Sequence, residues 1–442
     1  MPMATMPRRL PLLGHAAQML LRPREFVSSI REHGDVVRFQ LGPKPAYMVN
    51  DPDLINEMLT VQRTRFTKGG PMCEQAVKMI GNGIFASEGD YYRRQRRLVQ
   101  PGFHHQRIAD YTDVMREVSE TTANSWRDGQ VVDVKADTAG IALHILTRTL
   151  FAVDDWEEVA AELHGSIPAV LGAIGRRALL PVDFVHELPF PINRRTNEAQ
   201  GRLFELVDSV ITAHRSAGTD HGDLLSSLMF ATDPETGETM SDREVRDELI
   251  TMFSAGLETA GTTMSWFFHV LASHPDVESR VHAEVDEVLG GRPVTFADLS
   301  TLDYLRRVLK ETLRTFTPVW LLTRNTAVDC TIGGHHIPAG ADVFFSAYGV
   351  HHDPRFYPRP HDFDPDRWLP ENAAGIPRHA YLPFGGGARK CVGEGYAMTE
   401  MVTVLATLTS RWRLRPVAGR PMRPVVKSTY APRDLLMTAH AR

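Results

Sequence analysis

The chain has 442 residues, 43% of them hydrophobic, and a formal net charge of −5. This acidic balance excludes the strongly basic surface of a nucleic-acid-binding protein. The three cysteines, Cys73, Cys330 and Cys391, are too few for the disulfide framework of a small secreted protein, so a reducing, cytoplasmic location is expected.

Residues 1–442 are expected to form a single domain, because the chain shows no internal repeat, low-complexity tract or flexible linker. The first 21 residues predict no membrane anchor. Pro7, Pro11 and Gly14 divide them into apolar pieces far shorter than the roughly 20 residues that a bilayer requires. They also lack the clean cleavage site of a secretory signal, so a soluble protein is expected.

The rest of the chain reads as mostly helical with a few short strands. Residues 35–50 predict a β-hairpin around Gly42-Pro43, and residues 331–346 predict another around Gly333-Gly334. Between these hairpins, the segment Tyr92–Arg97 contains four arginines. Guanidinium groups suit a carboxylate ligand, although a cluster of exposed arginines is the simpler alternative.

The longest predicted helix covers residues 242–273. Ser241 and Glu244 form a capping-box pattern at its start, and His274-Pro275 ends it. At about 1.5 Å per residue this helix extends for roughly 50 Å, which is long for a globular protein. The fold class is therefore expected to be mainly α with small β-sheets.

Two groups of polar residues fall within predicted helices. Glu258 and Thr259 lie in the middle of the long helix, where they cost stability if buried, so a solvated Glu and a Thr bonded to its own helix are the simpler alternative. Glu311 and Arg314 are three residues apart and share a helix face. Alone, they are typical of an exposed ion pair. A Pro-rich segment further on contains Arg367.

Cys391 follows a glycine-rich loop and precedes a helix predicted from Glu394 to about Leu408. The helix N-terminus and the neighbouring cations Arg389 and Lys390 favour thiolate, the form that binds metal. Glycines allow a flat ligand to approach the backbone closely. The alternative is a structural cysteine buried on a loop.

The residues around Cys391 resemble a known signature. Phe384, Gly387, Arg389, Cys391 and Gly393 match the pattern Phe-x-x-Gly-x-Arg-x-Cys-x-Gly of the cytochrome P450 family, and the resemblance extends from about Leu12 to the C-terminus. It implies the cytochrome P450 fold, with the long central helix crossing the heme. It also implies heme b (iron protoporphyrin IX) with Cys391 as axial thiolate, a ligand that favours O–O cleavage.

The same resemblance gives roles to other residues. Glu258 would relay protons, Thr259 would hold dioxygen by a hydrogen bond, and small residues at 255 and 256 would let the helix pass close to the macrocycle. Ala260 stands where the family pattern has Thr or Ser, which removes one hydroxyl from the relay. Arginines and a tyrosine would bind the heme propionates, and an ion network would shape the core near the heme. The propionate residues are Tyr92, Arg96, Arg324 and Arg389, and the network residues are Glu311, Arg314 and Arg367.

The implied reaction is the insertion of one oxygen atom from O2 into a hydrophobic small molecule. A terpenoid or another lipophilic secondary metabolite is preferred, with polyketides, steroids and fatty acids left open, because the residues assigned to the pocket by analogy are largely apolar. These residues are Ile84, Phe85, Phe253, Leu257, Val319, Trp320, Leu321, Leu322, Thr429 and Tyr430.

The resemblance also implies separate electron donors, a ferredoxin and a ferredoxin reductase, since the chain contains no flavin or nicotinamide module. Steering by a positive patch of Arg93, Arg94, Arg97, Lys390 and Arg378 is expected for an acidic donor. A monomer is expected. The alternatives left open are a heme-thiolate peroxygenase or isomerase and, from another class, a non-catalytic heme-binding sensor or carrier.

Overall fold

The computed structural model describes residues 3–7, 10–11, 13–151, 156–179, 183–426 and 428–442. Helices dominate these residues and the strands are short, which confirms the predicted mainly α fold with small sheets. The helices are α1 (Ala16–Leu21), α2 (Pro23–Arg31), α3 (Pro52–Leu59), α4 (Pro71–Ile80), α5 (Gly89–Val99), α6 (His105–Ser125), α7 (Val134–Leu150), α8 (Trp156–Leu179), α9 (Asp183–Glu187), α10 (Pro191–Ala217), α11 (Leu224–Phe230), α12 (Asp242–Ser273), α13 (Pro275–Leu289), α14 (Asp303–Thr315), α15 (Ala347–His351), α16 (Pro370–Ala373) and α17 (Glu394–Arg411). The strands are β1 (Ala4–Thr5), β2 (Val36–Leu41), β3 (Lys44–Val49), β4 (Phe66–Thr67), β5 (Val131–Asp133), β6 (Leu322–Thr326), β7 (Cys330–Ile332), β8 (His335–Ile337), β9 (Asp342–Phe345), β10 (Trp412–Pro416), β11 (Pro424–Val426), β12 (Tyr430–Pro432) and β13 (Leu436–Ala441).

Helix α12 has the bounds that its sequence predicts. The capping box at its start is present, since the Ser241 hydroxyl accepts from the Glu244 N–H at 3.3 Å and the Glu244 carboxylate accepts from the Ser241 N–H at 2.8 Å. The helix packs against α7, α10, α14 and α17, and most of its residues are buried. These buried contacts explain how so long a helix is stabilised.

Helix α12 approaches α7 closely at Gly261. A Cβ there would lie 3.0 Å from the Cα of Ala139 in α7. The Thr138 hydroxyl, buried between the two helices, lies 2.9 Å from the Gly261 carbonyl oxygen and 2.8 Å from the Ser265 hydroxyl. The absence of a side chain therefore lets α7 and α12 meet backbone to backbone.

The largest sheet contains six strands in the order β1-β2-β3-β9-β6-β4. Its β2–β3 hairpin confirms the prediction for residues 35–50, with Val36 paired to Val49 and Gly42 at φ +60° in the turn. Residues 331–346 do not form one hairpin throughout. Strands β7 and β8 pair around Gly333-Gly334, but β9 pairs instead with β3 and β6.

The chain leaves the β7–β8 hairpin through a turn in which Gly340 has φ +76°. Near the C-terminus, β11 and β12 form a further, separate hairpin, and the turn between them contains Ser428 and Thr429. Within the described part of the chain, none of the helices combines the length and the apolar character that crossing a bilayer would require.

Candidate active site

The loop that carries Cys391 is closed by a hydrogen bond from the Cys391 N–H to the Phe384 carbonyl oxygen, at 3.0 Å. Gly387 is required in this loop because its φ is +64° and a Cβ would lie 2.3 Å from the Leu59 carbonyl oxygen. Gly393 ends the loop as the N-cap of α17, which packs against α12. The glycines thus hold the thiol at the start of a helix that contacts the central one.

Of the three cysteines, Cys391 is the exposed one. Cys330 is buried in β7, and Cys73 is half-buried in α4. Although the residue is accessible, desolvation by the protein around the sulfur raises the pKa of the Cys391 thiol, while a hydrogen bond from Gly393 and the cations Arg96 and Lys390 act in the opposite direction. The cations and the loop hydrogen bond favour thiolate, as expected, but desolvation has the larger effect on the pKa of the thiol.

The centre of α12 carries an accessible strip within an otherwise buried helix. Ala255 is exposed and Glu258 and Thr259 are half-buried, whereas Leu257 and Ala260 are buried. The acid and the hydroxyl therefore open onto solvent-accessible space, while position 260 lies in the core. Such a strip is where a helix can present polar groups to a bound molecule.

Gly256 has a different role from the one expected. A Cβ at Gly256 would lie 2.9 Å from Cδ1 of Leu146, in α7. The absence of a side chain at this position is therefore explained by packing between α7 and α12. Ala255, the exposed neighbour, remains the small residue that faces accessible space.

Hydrogen bonds fix both polar groups of the strip. The Thr259 hydroxyl donates to the Ala255 carbonyl oxygen at 2.8 Å. Glu258 is held from outside its helix, since the Thr429 hydroxyl donates to Glu258 Oε1 at 2.5 Å and the Ser428 hydroxyl lies 3.4 Å from the same oxygen. Thr429, assigned to the pocket by analogy, thus contacts the catalytic candidate directly.

A cluster of cations lies near the predicted propionate site. The guanidinium of Arg324, buried in β6, has its pKa lowered to about 10 by burial and by Arg389. Lys68 has its pKa lowered to about 7 by burial, by Arg324 and by Arg389. Glu88 contacts two members of this cluster: Nη2 of Arg389 at 2.7 Å and the backbone N–H of Lys68 at 2.5 Å.

Lys68, Arg324 and Arg389 carry three positive charges beside the single partly exposed carboxylate of Glu88. One negative charge does not balance three, and each cation disfavours the charge of the others. Two propionate groups would supply the missing anions, so the residues fit a heme. Sequence reasoning missed Lys68. Its sequence signal is weak, since a lysine before Gly69-Gly70 resembles any surface loop lysine.

Tyr92 and Arg96 bind the cysteine loop itself. The Tyr92 hydroxyl donates to the Ala388 carbonyl oxygen at 2.7 Å, and Arg96 Nη1 donates to the Lys390 carbonyl oxygen at 2.8 Å. The Arg389 guanidinium lies over the Tyr92 ring, 3.4 Å from its centroid. These contacts position the cysteine loop, and the propionate contacts expected for Tyr92 and Arg96 stay predictions.

Glu311 lies at the centre of a buried ion network. Arg314 donates to both Glu311 oxygens, at 2.8 and 2.7 Å, and also to the His351 carbonyl oxygen. Arg367 and Trp368 donate to Glu311 at 3.3 and 3.0 Å. Because the charges are paired and hydrogen-bonded, they can remain ionised in the core.

The residues assigned to the pocket separate into two groups. Phe253 is fully buried and packs against Phe151, and Tyr430 is buried against Trp266 and Phe316. Both rings pack into the core, and their assignment to the pocket stays a prediction. Leu257 and Thr429 are also buried. The other assigned residues are at least partly accessible: Ile84, Phe85, Val319, Trp320, Leu321 and Leu322.

The expected positive patch is largely neutralised. Arg94 pairs with Glu244 at 2.6 Å, and Arg97 pairs with Asp233 at 2.8 Å, which lowers the pKa of Asp233 to about 2. Arg93 pairs with Asp90. Ion pairing of these arginines weakens the field that they present to a partner, because opposite charges cancel at a distance.

Comparison with known proteins gives a consistent result. The model of the family described as Cytochrome P450 matches residues 5–439. Among solved structures, the heme domain of cytochrome P450DA has a TM-score of 0.89 and 27% identity, covering 100% of this chain and 98% of that one.

Three curated proteins are similar over nearly their whole length. Cyclooctatin synthase of Streptomyces melanosporofaciens is 42% identical, covering 95% of this chain and 91% of that protein. Cyclooctat-9-en-7-ol 5-monooxygenase of the same organism is 41% identical, with 94% and 90% covered. Pentalenene oxygenase of Streptomyces avermitilis is 38% identical, with 99% and 97% covered.

Proposed function

The chain belongs to the cytochrome P450 family of heme-thiolate monooxygenases, and we propose that it inserts one oxygen atom from O2 into a terpenoid. The observation that carries this proposal is the accessible Glu258-Thr259 pair at the centre of a helix that is otherwise buried. An acid beside a hydroxyl serves proton delivery to oxygen, for which a non-catalytic heme carrier has little need. A peroxygenase or isomerase is disfavoured for the same reason.

Heme with an axial cysteine thiolate is the cofactor of this family, and when bound it supplies the activation of oxygen. Cys391 would bind the heme iron through its thiolate, because this residue is accessible and its loop is closed by Phe384 and shaped by glycines. Lys68, Arg324 and Arg389 would hold the propionates, whose negative charges complete the cation cluster.

Proton delivery depends on Glu258 and Thr259 of α12 and on Thr429 of the β11–β12 turn. The Glu258 carboxylate takes up a proton from solvent and passes it on, and Thr429 holds that carboxylate in place through its hydroxyl. Thr259 presents a hydroxyl one residue further along the helix. Its present hydrogen bond to Ala255 keeps the hydroxyl ordered until a better acceptor is bound.

Substrate class is proposed from the pocket and from the relatives. Ile84, Phe85 and the segment 319–322 offer mainly apolar surface, which suits a hydrocarbon skeleton. Two of the relatives are named for pentalenene and cyclooctat-9-en-7-ol, both terpenoids. We therefore favour a terpenoid over a polyketide, steroid or fatty acid.

Spectral titration tests this proposal. Pentalenene and cyclooctat-9-en-7-ol are added to the heme-loaded protein, with lauric acid and progesterone as comparisons. We expect a low-to-high-spin change with at least one terpenoid and turnover when ferredoxin, ferredoxin reductase and NADPH are supplied. A response to the fatty acid or steroid alone would contradict the substrate class, and turnover with hydrogen peroxide but not with the redox proteins would contradict the monooxygenase.

We further propose that the chain acts in the cytoplasm as a monomeric single domain. The family match across residues 5–439 supports the single domain. Light scattering after gel filtration checks the mass, and one cooperative unfolding transition for heme-loaded protein checks the domain count. A dimer or two separate transitions would contradict the proposal.

A further inference from the structure

Two consecutive acids of α12 accept hydrogen bonds from one loop. Asp247 Oδ2 accepts from the Asn82 N–H at 2.8 Å, and Glu248 Oε2 accepts from the Ile84 N–H at 3.0 Å. Both side chains are buried, at 4% and 0% exposure. Alternate amides of the loop therefore bind successive carboxyl groups of the helix.

The glycines of this loop allow the close approach. Gly81 has φ +84°, and a Cβ there would lie 2.2 Å from the Asp247 carboxyl carbon. A Cβ at Gly83 would lie 2.3 Å from the Thr251 hydroxyl and 2.6 Å from the Asp247 carbonyl oxygen. Any other residue at either position would push the loop away from α12.

The other end of the same segment is held at the cation cluster. Lys68 Nζ donates to the Phe85 carbonyl oxygen and lies 4.3 Å from the centroid of the Phe85 ring. Arg389 Nη1 donates to the Ser87 carbonyl oxygen at 2.7 Å. The backbone of Ile84 is therefore bonded to the central helix, and the backbone of Phe85 is bonded to the proposed propionate site.

Burial makes these acids costly for folding. It raises the pKa of Glu248 to about 8 and raises the pKa of Asp247, and Glu248 Oε1 is buried with no hydrogen-bond partner among the described residues. An apolar side chain of similar size would avoid this cost. The two carboxyl groups accept hydrogen bonds from backbone N–H groups of the loop and so hold the loop in position. An apolar side chain could not do this.

We propose that Asp247 and Glu248 are positioning residues that fix Ile84 and Phe85 over the substrate and so determine which part of a terpenoid faces the heme. This inference rests on the proposed function. It assigns a specificity role to two acids that do not themselves contact the reacting atoms.

The first test measures the loop directly in the heme-loaded protein. Hydrogen-exchange mass spectrometry follows peptides covering residues 81–86 in wild type, E248L, E248Q and the control D242N, whose exposed carboxylate lies on the same helix. In E248L we expect exchange about tenfold faster, as for the loss of one hydrogen bond to a carboxyl group. E248Q keeps an acceptor for the Ile84 N–H and should exchange like wild type, as should D242N.

A second test uses two ligands of the heme iron that differ in size. If Ile84 and Phe85 lie over the substrate, the phenyl ring of phenylimidazole should contact them, whereas the smaller imidazole should not. We expect E248L to weaken phenylimidazole binding several-fold and leave imidazole binding unchanged. With pentalenene, if it is turned over, the ratio of oxidation products should shift in E248L and return in E248Q.

The variant G83A should displace the same loop without removing an acid, because its added Cβ would lie too close to Thr251. Loop exchange and the affinities of the two imidazoles are measured for it as for E248L. Unchanged exchange and an unchanged ratio of the two imidazole affinities in both E248L and G83A would overturn the inference. If Glu248 only stabilised the fold, E248L would lower the midpoint of thermal unfolding and leave hydrogen exchange at residues 81–86 unchanged. Failure of the proposed function is distinguishable, because wild type would then lack the red-shifted carbon monoxide band of thiolate-ligated reduced heme.

Discussion

Lys68 lies beside Arg324 and Arg389, where burial and these two cations lower its pKa to about 7. A propionate next to Lys68 would restore its charge and form a charge-assisted hydrogen bond. The residue has this role only because the fold brings β6, the cysteine loop and the segment before α4 together. Its sequence neighbours give no indication of it.

We predict that K68M releases heme about tenfold faster than wild type, as expected for the loss of one charged hydrogen bond. Transfer of heme to excess apomyoglobin measures this rate. K44M, which removes an exposed lysine from β3, is the control and should match wild type. Equal rates for K68M and wild type would remove Lys68 from the propionate site.

Glu400 is fully buried in α17, and burial alone raises its pKa from 4.5 to about 8. The folded protein therefore keeps the proton to a higher pH than the unfolded chain does. The stability that depends on this proton is present below the ordinary pKa of a glutamate and is lost as the pH rises from 4.5 to about 8.

We predict that E400Q, which stays uncharged, gains stability relative to wild type as the pH rises across this window. Within the window, the gain grows by about 1.4 kcal/mol for each tenfold fall in proton concentration. Chemical unfolding of both proteins at about pH 5 and about pH 8 measures the difference. If the two proteins differed in free energy of unfolding by the same amount at both pH values, the raised pKa of Glu400 would be contradicted.

At the scale of elements, the β11–β12 hairpin and α12 meet at Glu258. The Thr429 hydroxyl reaches the carboxylate from the turn of the hairpin, so a C-terminal element positions a residue in the middle of the chain. The central helix was predictable from its cap and its length. The partner of its acid was not, because 171 positions separate the two residues.

We predict that T429V lowers the fraction of NADPH electrons recovered in product several-fold, because the valine cannot donate to Glu258. T429S keeps the hydroxyl and should restore most of the coupling. The solvent isotope effect on turnover should rise in T429V and return to the wild-type value in T429S. In an E258Q background, T429V should have little further effect, and a full additive loss there would contradict the proposed contact.

For the whole molecule, the Glu311 network joins α14 to the end of α15 and to the Pro-rich segment that leads to the cysteine loop. Arg314 and Glu311 are both fully buried. Pairing in the core adds little net stability over apolar residues, but removal of one partner leaves an uncompensated charge.

We predict that R314M destabilises the heme-loaded protein by about 3–5 kcal/mol, since Glu311 would lose its bidentate partner. Urea unfolding followed by heme absorbance and by circular dichroism measures the change. R306M removes an exposed arginine from the same helix and is the matched control. A change of the same size in both variants would contradict the special role of Arg314.

Features that depend on residues close together in the chain were predictable before the fold was known. The capping box and the terminating His274-Pro275 defined α12, Gly42-Pro43 defined the first hairpin, and the spacing around Cys391 identified the family. Short-range geometry decides these features, since caps, turns and loop motifs involve residues a few positions apart.

The tertiary structure alone decided burial and long-range pairing. It turned Gly256 towards α7, placed Phe253 in the core, joined Lys68 to Arg324, and set desolvation against the cations that surround Cys391. The physical reason is that the local dielectric and the partner of a side chain depend on every element packed against it. Neither can be read from residues a few positions apart.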